Sequence, residues 1–137
     1  MKFLFLLFAV FFAASLTEIA AQKTRKVFPY AYKTTDLPNG LRVVTMPTDN
    51  KNLVSLYIVV GAGSRNEVES NKSGYAHFFE HLMFRGSENF PAGSFDEVMK
   101  KAGASSNAYT SDDRTVYHET FAKEDLDAVI RLEADRF

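Results

Sequence analysis

Two histidines and a carboxylate stand close together in the run Gly74-Tyr75-Ala76-His77-Phe78-Phe79-Glu80-His81-Leu82-Met83-Phe84-Arg85-Gly86. If the run is helical, His77 and His81 are four apart and project from one face, one turn above the other. A zinc ion is held by imidazole nitrogens at about 2.0–2.1 Å, and an i, i+4 pair can supply two of them. Glu80 is three residues after His77, close enough to that face to reach a water beside the metal. The order His-x-x-Glu-His inverts the commoner zinc-protease motif His-Glu-x-x-His. The competing reading is a core helix whose imidazoles are satisfied among Phe78, Phe79, Leu82 and Met83.

The surrounding sequence must build a scaffold for that helix. Val27 to Thr35 favours strand, and Asp36-Leu37-Pro38-Asn39-Gly40 is a turn in which Asn39-Gly40 offers two positive-φ positions. Leu41 to Met46 returns as a second strand, and residues 47–52 form a loop by composition. Leu53 to Val60 is almost wholly apolar and reads as a buried central strand. Gly61-Ala62-Gly63-Ser64 is a loop leaving that strand; it lacks the third glycine that a dinucleotide cradle needs. Glu67 to Ser73 is a polar connection into the motif helix. That helix is expected from Gly74 to Phe84, with Arg85-Gly86 closing it. Ser94-Phe95-Asp96-Glu97 matches a capping box with Ser94 as N-cap, and Gly103 ends the helix that follows. Ser105 to Thr110 and Arg114 to Phe121 form a hairpin about Ser111-Asp112-Asp113, with His118 as an ordinary strand residue. Leu126, Val129, Ile130, Ala134 and Phe137 then mark one apolar helical stripe. This order predicts an α+β fold, a largely antiparallel sheet with helices packed on one face.

Composition sets the outer bounds. The 137 residues carry a net charge of −1, no Cys, no Trp and only three His. No basic stripe is available for phosphates, so nucleic acid is not an expected partner. The 46% hydrophobic content suits a chain that buries a core. Residues 1–21 read as a signal peptide: Lys2, an apolar run from Phe3 to Leu16, then small residues at Ala20 and Ala21. Cleavage is expected after Ala21, with Ala20 as the near alternative, leaving residues 22–137 as the exported domain, periplasmic or extracellular. The run is short for a bilayer span, so no stable membrane anchor is expected once it is removed. Without Cys, no disulfide contributes to stability.

From Leu37 to Phe137 the sequence resembles the N-terminal part of the pitrilysin/insulinase (M16) family of zinc metallopeptidases. The resemblance rests on Leu37-Pro38-Asn39-Gly40-Leu41, on the motif helix, on Asn107-Ala108-Tyr109-Thr110 with Thr115 and Tyr117, and on Leu132-Glu133-Ala134-Asp135-Arg136-Phe137. It implies that His77 and His81 ligate Zn2+ and that Glu80 is the general base in peptide hydrolysis. It also implies that Asn107 and Ala108 lie on an edge strand that pairs with the backbone of a peptide substrate.

The family pattern places a third ligand, a glutamate, roughly seventy to eighty residues beyond the motif. That position falls past Phe137, so the sequence is expected to be a piece truncated before the third ligand and inactive by itself. The family also encloses substrate with a second half or subunit, which is the expected partner. The alternative function is a non-catalytic substrate-binding subunit, against which the complete motif weighs. A closed structural zinc site needs four protein ligands, and with no Cys and only His118 left over the sequence is poorly supplied.

Overall fold

The computed structural model describes residues 28–137, which fall into two compact units divided after Pro47. The expected signal peptide at residues 1–21 lies outside the described residues. No described helix is long and apolar enough to cross a membrane.

In the first unit, β1 (Lys33–Asp36) and β2 (Arg42–Thr45) form an antiparallel hairpin with Asp36 opposite Arg42. The Arg42 guanidinium donates to both Asp36 oxygens at 2.7 and 3.0 Å and holds that carboxyl below its ordinary pKa. Leu37 N–H bonds to Leu41 O, so the loop is longer than the two-residue turn expected. Only Gly40 has a positive φ, at 88°. Asn39 contributes differently, accepting the Leu41 N–H on Oδ1 at 3.1 Å.

The second unit runs β3 (Leu53–Val60), a 3₁₀ turn (Ser64–Asn66), α1 (Tyr75–Leu82), α2 (Ser94–Lys101), β4 (Ser105–Thr110), β5 (Thr115–Ala122), a 3₁₀ turn (Lys123–Asp125) and α3 (Leu126–Arg136). Its three strands are antiparallel in the order β3-β5-β4, so the expected α+β architecture holds. The central strand, however, is β5 and not β3. Along β5 the side chains of Thr115, Tyr117, Glu119 and Phe121 are buried on the helix face. β3 has the expected limits but alternates exposed and half-buried positions, with Tyr57 and Val59 more than 60% exposed. An unbroken apolar run masked this period of two. Tyr57 stacks on His118 across the open face, which accounts for His118 as a strand residue.

The helix side carries the core: Phe95, Met99 and Ala102 of α2 and its end, Phe121 of β5, and Val129 and Leu132 of α3. At α2 the expected capping box is absent. Gly93, at φ 90°, is the N-cap; Ser94 is the first helical residue and makes no capping bond. Gly103 does follow the helix end with φ 57°, as expected. In α3 the buried positions are Val129, Leu132 and Glu133, together with the Arg136 side chain, whereas Leu126 and Ile130 are 40% and 43% exposed. The i, i+3, i+4, i+7 stripe exists, but two of its positions are charged.

Candidate metal centre

α1 is only eight residues long, too short to be stable alone, so its orientation depends on what holds its ends. At the N-terminus Gly74 takes φ 90° as the cap, and no side chain of the cap itself helps. The Glu67 carboxylate does so from the preceding loop, accepting the N–H of Ala76 at 2.7 Å and of Gly74 at 2.5 Å. These amides, Ala76 first, hold its pKa below the ordinary value, as the positive end of a helix dipole also favours. The loop that carries Glu67 is latched to the β4–β5 turn. Ser64 N–H donates to Ser111 O at 3.1 Å and Arg65 N–H to Asp112 O at 2.8 Å. A Cβ on Gly63 would sit 2.2 Å from Ser111 O, so the second glycine of Gly61-Ala62-Gly63 is there for close approach between backbones.

On the helix so placed, His77 and His81 are exposed and their Nε2 atoms lie 3.2 Å apart. Two nitrogens on one tetrahedral zinc, each about 2.05 Å from it, would be about 3.3 Å apart. The pair therefore fits a shared zinc ion. Against the rest of the described residues, Phe78 and Phe79 are more than half exposed, unlike a helix with its aromatics packed in the core. Among the described residues no group of three or more His, Cys, Asp or Glu converges on this point; the two imidazoles are the candidate ligands.

Glu80 faces the sheet and is 7% exposed. Thr110 Oγ1 on β4 donates to its Oε2 at 2.5 Å. Thr115 Oγ1 donates in turn to Ala62 O at 3.0 Å. Each hydroxyl has one hydrogen, so both are spent, and the 3.3 Å approach of the two Thr oxygens only keeps them in register. Sequence reasoning named Thr110 and Thr115 only as matching positions and missed that contact.

β4 pairs with β5 along one side only among the described residues. Ala108 N–H bonds not across the ladder but to Asn107 Oδ1, at 2.9 Å. It therefore points to the open edge. Among the described residues Asn107 and Ala108 thus sit on an edge strand beside α1. A cleft of about 320 Å³ between the Glu67 loop and α1 is lined by Tyr75, Ala76 and Phe79, on the flank away from the histidines.

Beneath the C-terminal end of α1 lies a second polar cluster. The Arg136 side chain is 3% exposed and pairs with Glu133 at 2.7 Å and Glu119 at 3.2 Å. Its guanidinium carbon is 4.8–5.3 Å from the ring centres of Phe84, Phe95, Tyr117 and Phe137. Glu119 Oε2 and Glu133 Oε1 are buried without hydrogen-bond partners. Burial, then the neighbouring Glu133 charge, pushes the Glu119 carboxyl up to about 8 against the pull of Arg136. Burial raises Glu133 as well.

Two histidines spaced to share a zinc ion on one helix, a buried carboxylate between helix and sheet, and a strand edge open among the described residues thus lie together in the second unit. Residues 42–137 match the family described as Insulinase (Peptidase family M16), and the chain belongs to that family. It is 40% identical over 121 residues to the zinc protease PqqE of Helicobacter pylori, covering 88% of this chain and 27% of that protein. It is 37% identical over 103 residues to the mitochondrial-processing peptidase subunit beta of Saccharomyces cerevisiae, covering 75% and 22%. The crystal structure of the periplasmic protease PqqL from Escherichia coli superposes with a TM-score of 0.71 at 34% identity, over 80% of this chain and 13% of that one. The chain spans about a quarter of the length of the curated relatives it matches.

Proposed function

We propose that this chain is the motif-bearing part of an exported zinc-dependent endopeptidase acting on peptides or oligopeptides. The 3.2 Å separation of His77 Nε2 and His81 Nε2, beside the buried Glu80, carries the reading. His77 and His81 would hold the zinc, with a third ligand supplied from residues beyond these 137. Bound there, the ion would supply Lewis acidity, polarising a peptide carbonyl and lowering the pKa of a water. The chain's own residues do the rest. Glu80 accepts the proton of the attacking water and returns it to the leaving amine nitrogen. Thr110 fixes one Glu80 oxygen and leaves the other for this transfer. The Ala108 N–H, exchanging Asn107 Oδ1 for a substrate carbonyl, aligns the peptide by its backbone. A second M16-like half or subunit encloses the substrate, and residues 1–21 act as the signal for export.

In the intact protein, Glu80→Gln should retain stoichiometric zinc and lose about 10²–10⁴-fold in turnover. His77→Ala or His81→Ala should lose the metal itself. Zinc-free purified protein, or activity untouched by Glu80→Gln, would sink the proposal. Peptide binding without cleavage, insensitive to a chelator, would favour a substrate-binding subunit instead. N-terminal sequencing of the mature protein should begin at Gln22, or at Ala21 if cleavage follows Ala20.

A further inference from the structure

The last turn of α3 holds the end of α1 and the loop that leaves it. Outside, Asp135 accepts the Ser87 hydroxyl at 2.5 Å and the Asn89 N–H at 3.0 Å. Inside, Arg136 Nη1 reaches the carbonyl of Met83 at 3.4 Å, a long bond. Met83 is the C-cap of α1 and stands two residues after His81. The last carbonyls of a helix lack intrahelical partners, and a cation there also meets the negative end of the helix dipole. Arg136 thus supplies from another element what α1 cannot supply for itself.

We infer that Arg136 is a positioning residue for the motif helix, fixing its C-terminal end through the Met83 carbonyl and a seat among aromatic rings, with Glu119 and Glu133 holding the guanidinium there. As a statement about metal binding this rests on the peptidase reading above. The geometry asks for arginine in particular. Phe84 itself belongs to the segment leaving α1, so the guanidinium touches that segment both by its ring and by the Met83 carbonyl. A guanidinium can sit among Phe84, Phe95, Tyr117 and Phe137, its carbon within 5.3 Å of each ring centre, while its N–H groups donate to Glu133, Glu119 and Met83 together. A lysine ammonium is a point charge and cannot do both. A cluster with two carboxylates, one guanidinium and two unpartnered oxygens is a poor way to stabilise a core. Its presence makes sense as a fixed donor aimed at one carbonyl.

Replacing a buried ion cluster by apolar residues of similar volume is often neutral or stabilising, which separates positioning from folding. In the intact protein, the triple variant Glu119→Leu/Glu133→Leu/Arg136→Met should melt at or above the wild-type temperature. Its amide exchange at Phe84 and Arg85 should be at least about tenfold faster, a free-energy change of about 1.4 kcal/mol, with β5 amides unchanged. Zinc affinity should fall in parallel, by about tenfold or more. A stable triple variant with Phe84 and Arg85 exchanging within about twofold of wild type overturns the inference. If the triple variant does not fold, Arg136→Lys decides by the same exchange ratio: faster exchange confined to residues 83–86 supports the inference, and an unchanged ratio overturns it. If wild-type protein binds no zinc, the peptidase reading fails while the exchange measurement still judges the clamp.

Discussion

Two buried carboxylate settings share the helix face of one small sheet, and they are built to opposite ends. Glu80 lies at the β4 side with one oxygen tied to a threonine hydroxyl and two exposed histidines on the same helix. Glu119 and Glu133 lie at the α3 side, 1% and 3% exposed, committed to a single arginine. The first is anchored lightly by a neutral donor, which leaves its second oxygen uncommitted. The second is locked by charge and by aromatic walls, which suits holding geometry. Tyr117, between them on β5, registers both: burial raises its hydroxyl, Arg136 opposes this, and Glu80 and Glu133 reinforce it.

The contrast can be broken most forcefully at Arg136. Arg136→Met alone removes the guanidinium paired with Glu133 and Glu119 in this buried cluster and should cost about 3–5 kcal/mol in denaturant unfolding. Glu80→Gln, by comparison, keeps an amide oxygen to accept the Thr110 hydroxyl and should cost less, about 1 kcal/mol in the same assay. Equal destabilisation by the two would erase the distinction.

Thr110→Val sharpens the other side. It removes the hydroxyl that orients Glu80 and should lower kcat about tenfold with KM little changed, near the 1.4 kcal/mol that one hydrogen bond to a charged group can contribute. A KM effect of that size instead would place Thr110 in substrate binding.

A further effect is in pH. Because Glu119 titrates higher in the folded protein than the ordinary 4.5, folding takes up a proton there. Its contribution to stability is full below about pH 4.5 and is lost as pH rises toward about 8. The groups around it are Glu133 and Arg136 from α3 and Tyr117 along β5. Its register partners Leu56 and Ser106 are uncharged, and α2 presents Phe95 and Met99. Glu119→Gln should therefore flatten the decline in melting temperature between pH 5 and 8. A slope identical to wild type would show that the pair carries no extra proton.

How much of this was legible beforehand follows the same divide. The candidate site could be read because its residues are local: His77, Glu80 and His81 occupy one turn, and helix periodicity alone brings two nitrogens together. β3, the hairpin of β4 and β5 and the end of α2 were legible from apolar runs and turn residues. The clamp was not. In α3 the buried stripe is Val129, Leu132, Glu133 and Arg136, and a search for apolar spacing skips its charged members and substitutes exposed Leu126 and Ile130. Glu67 escaped for a related reason, since it caps a helix from seven residues before Gly74, beyond any local capping pattern.

The bond from Ala108 N–H to its neighbour's Oδ1 also bears on how the protein behaves when concentrated. A bare strand edge is a template on which copies of the same chain can stack into aggregates. Here one outward donor is stoppered by a side chain one residue away, which an incoming strand must displace at the cost of a bond already made. Asn107→Ala would leave that donor open, turning a solubility safeguard into an adhesive edge.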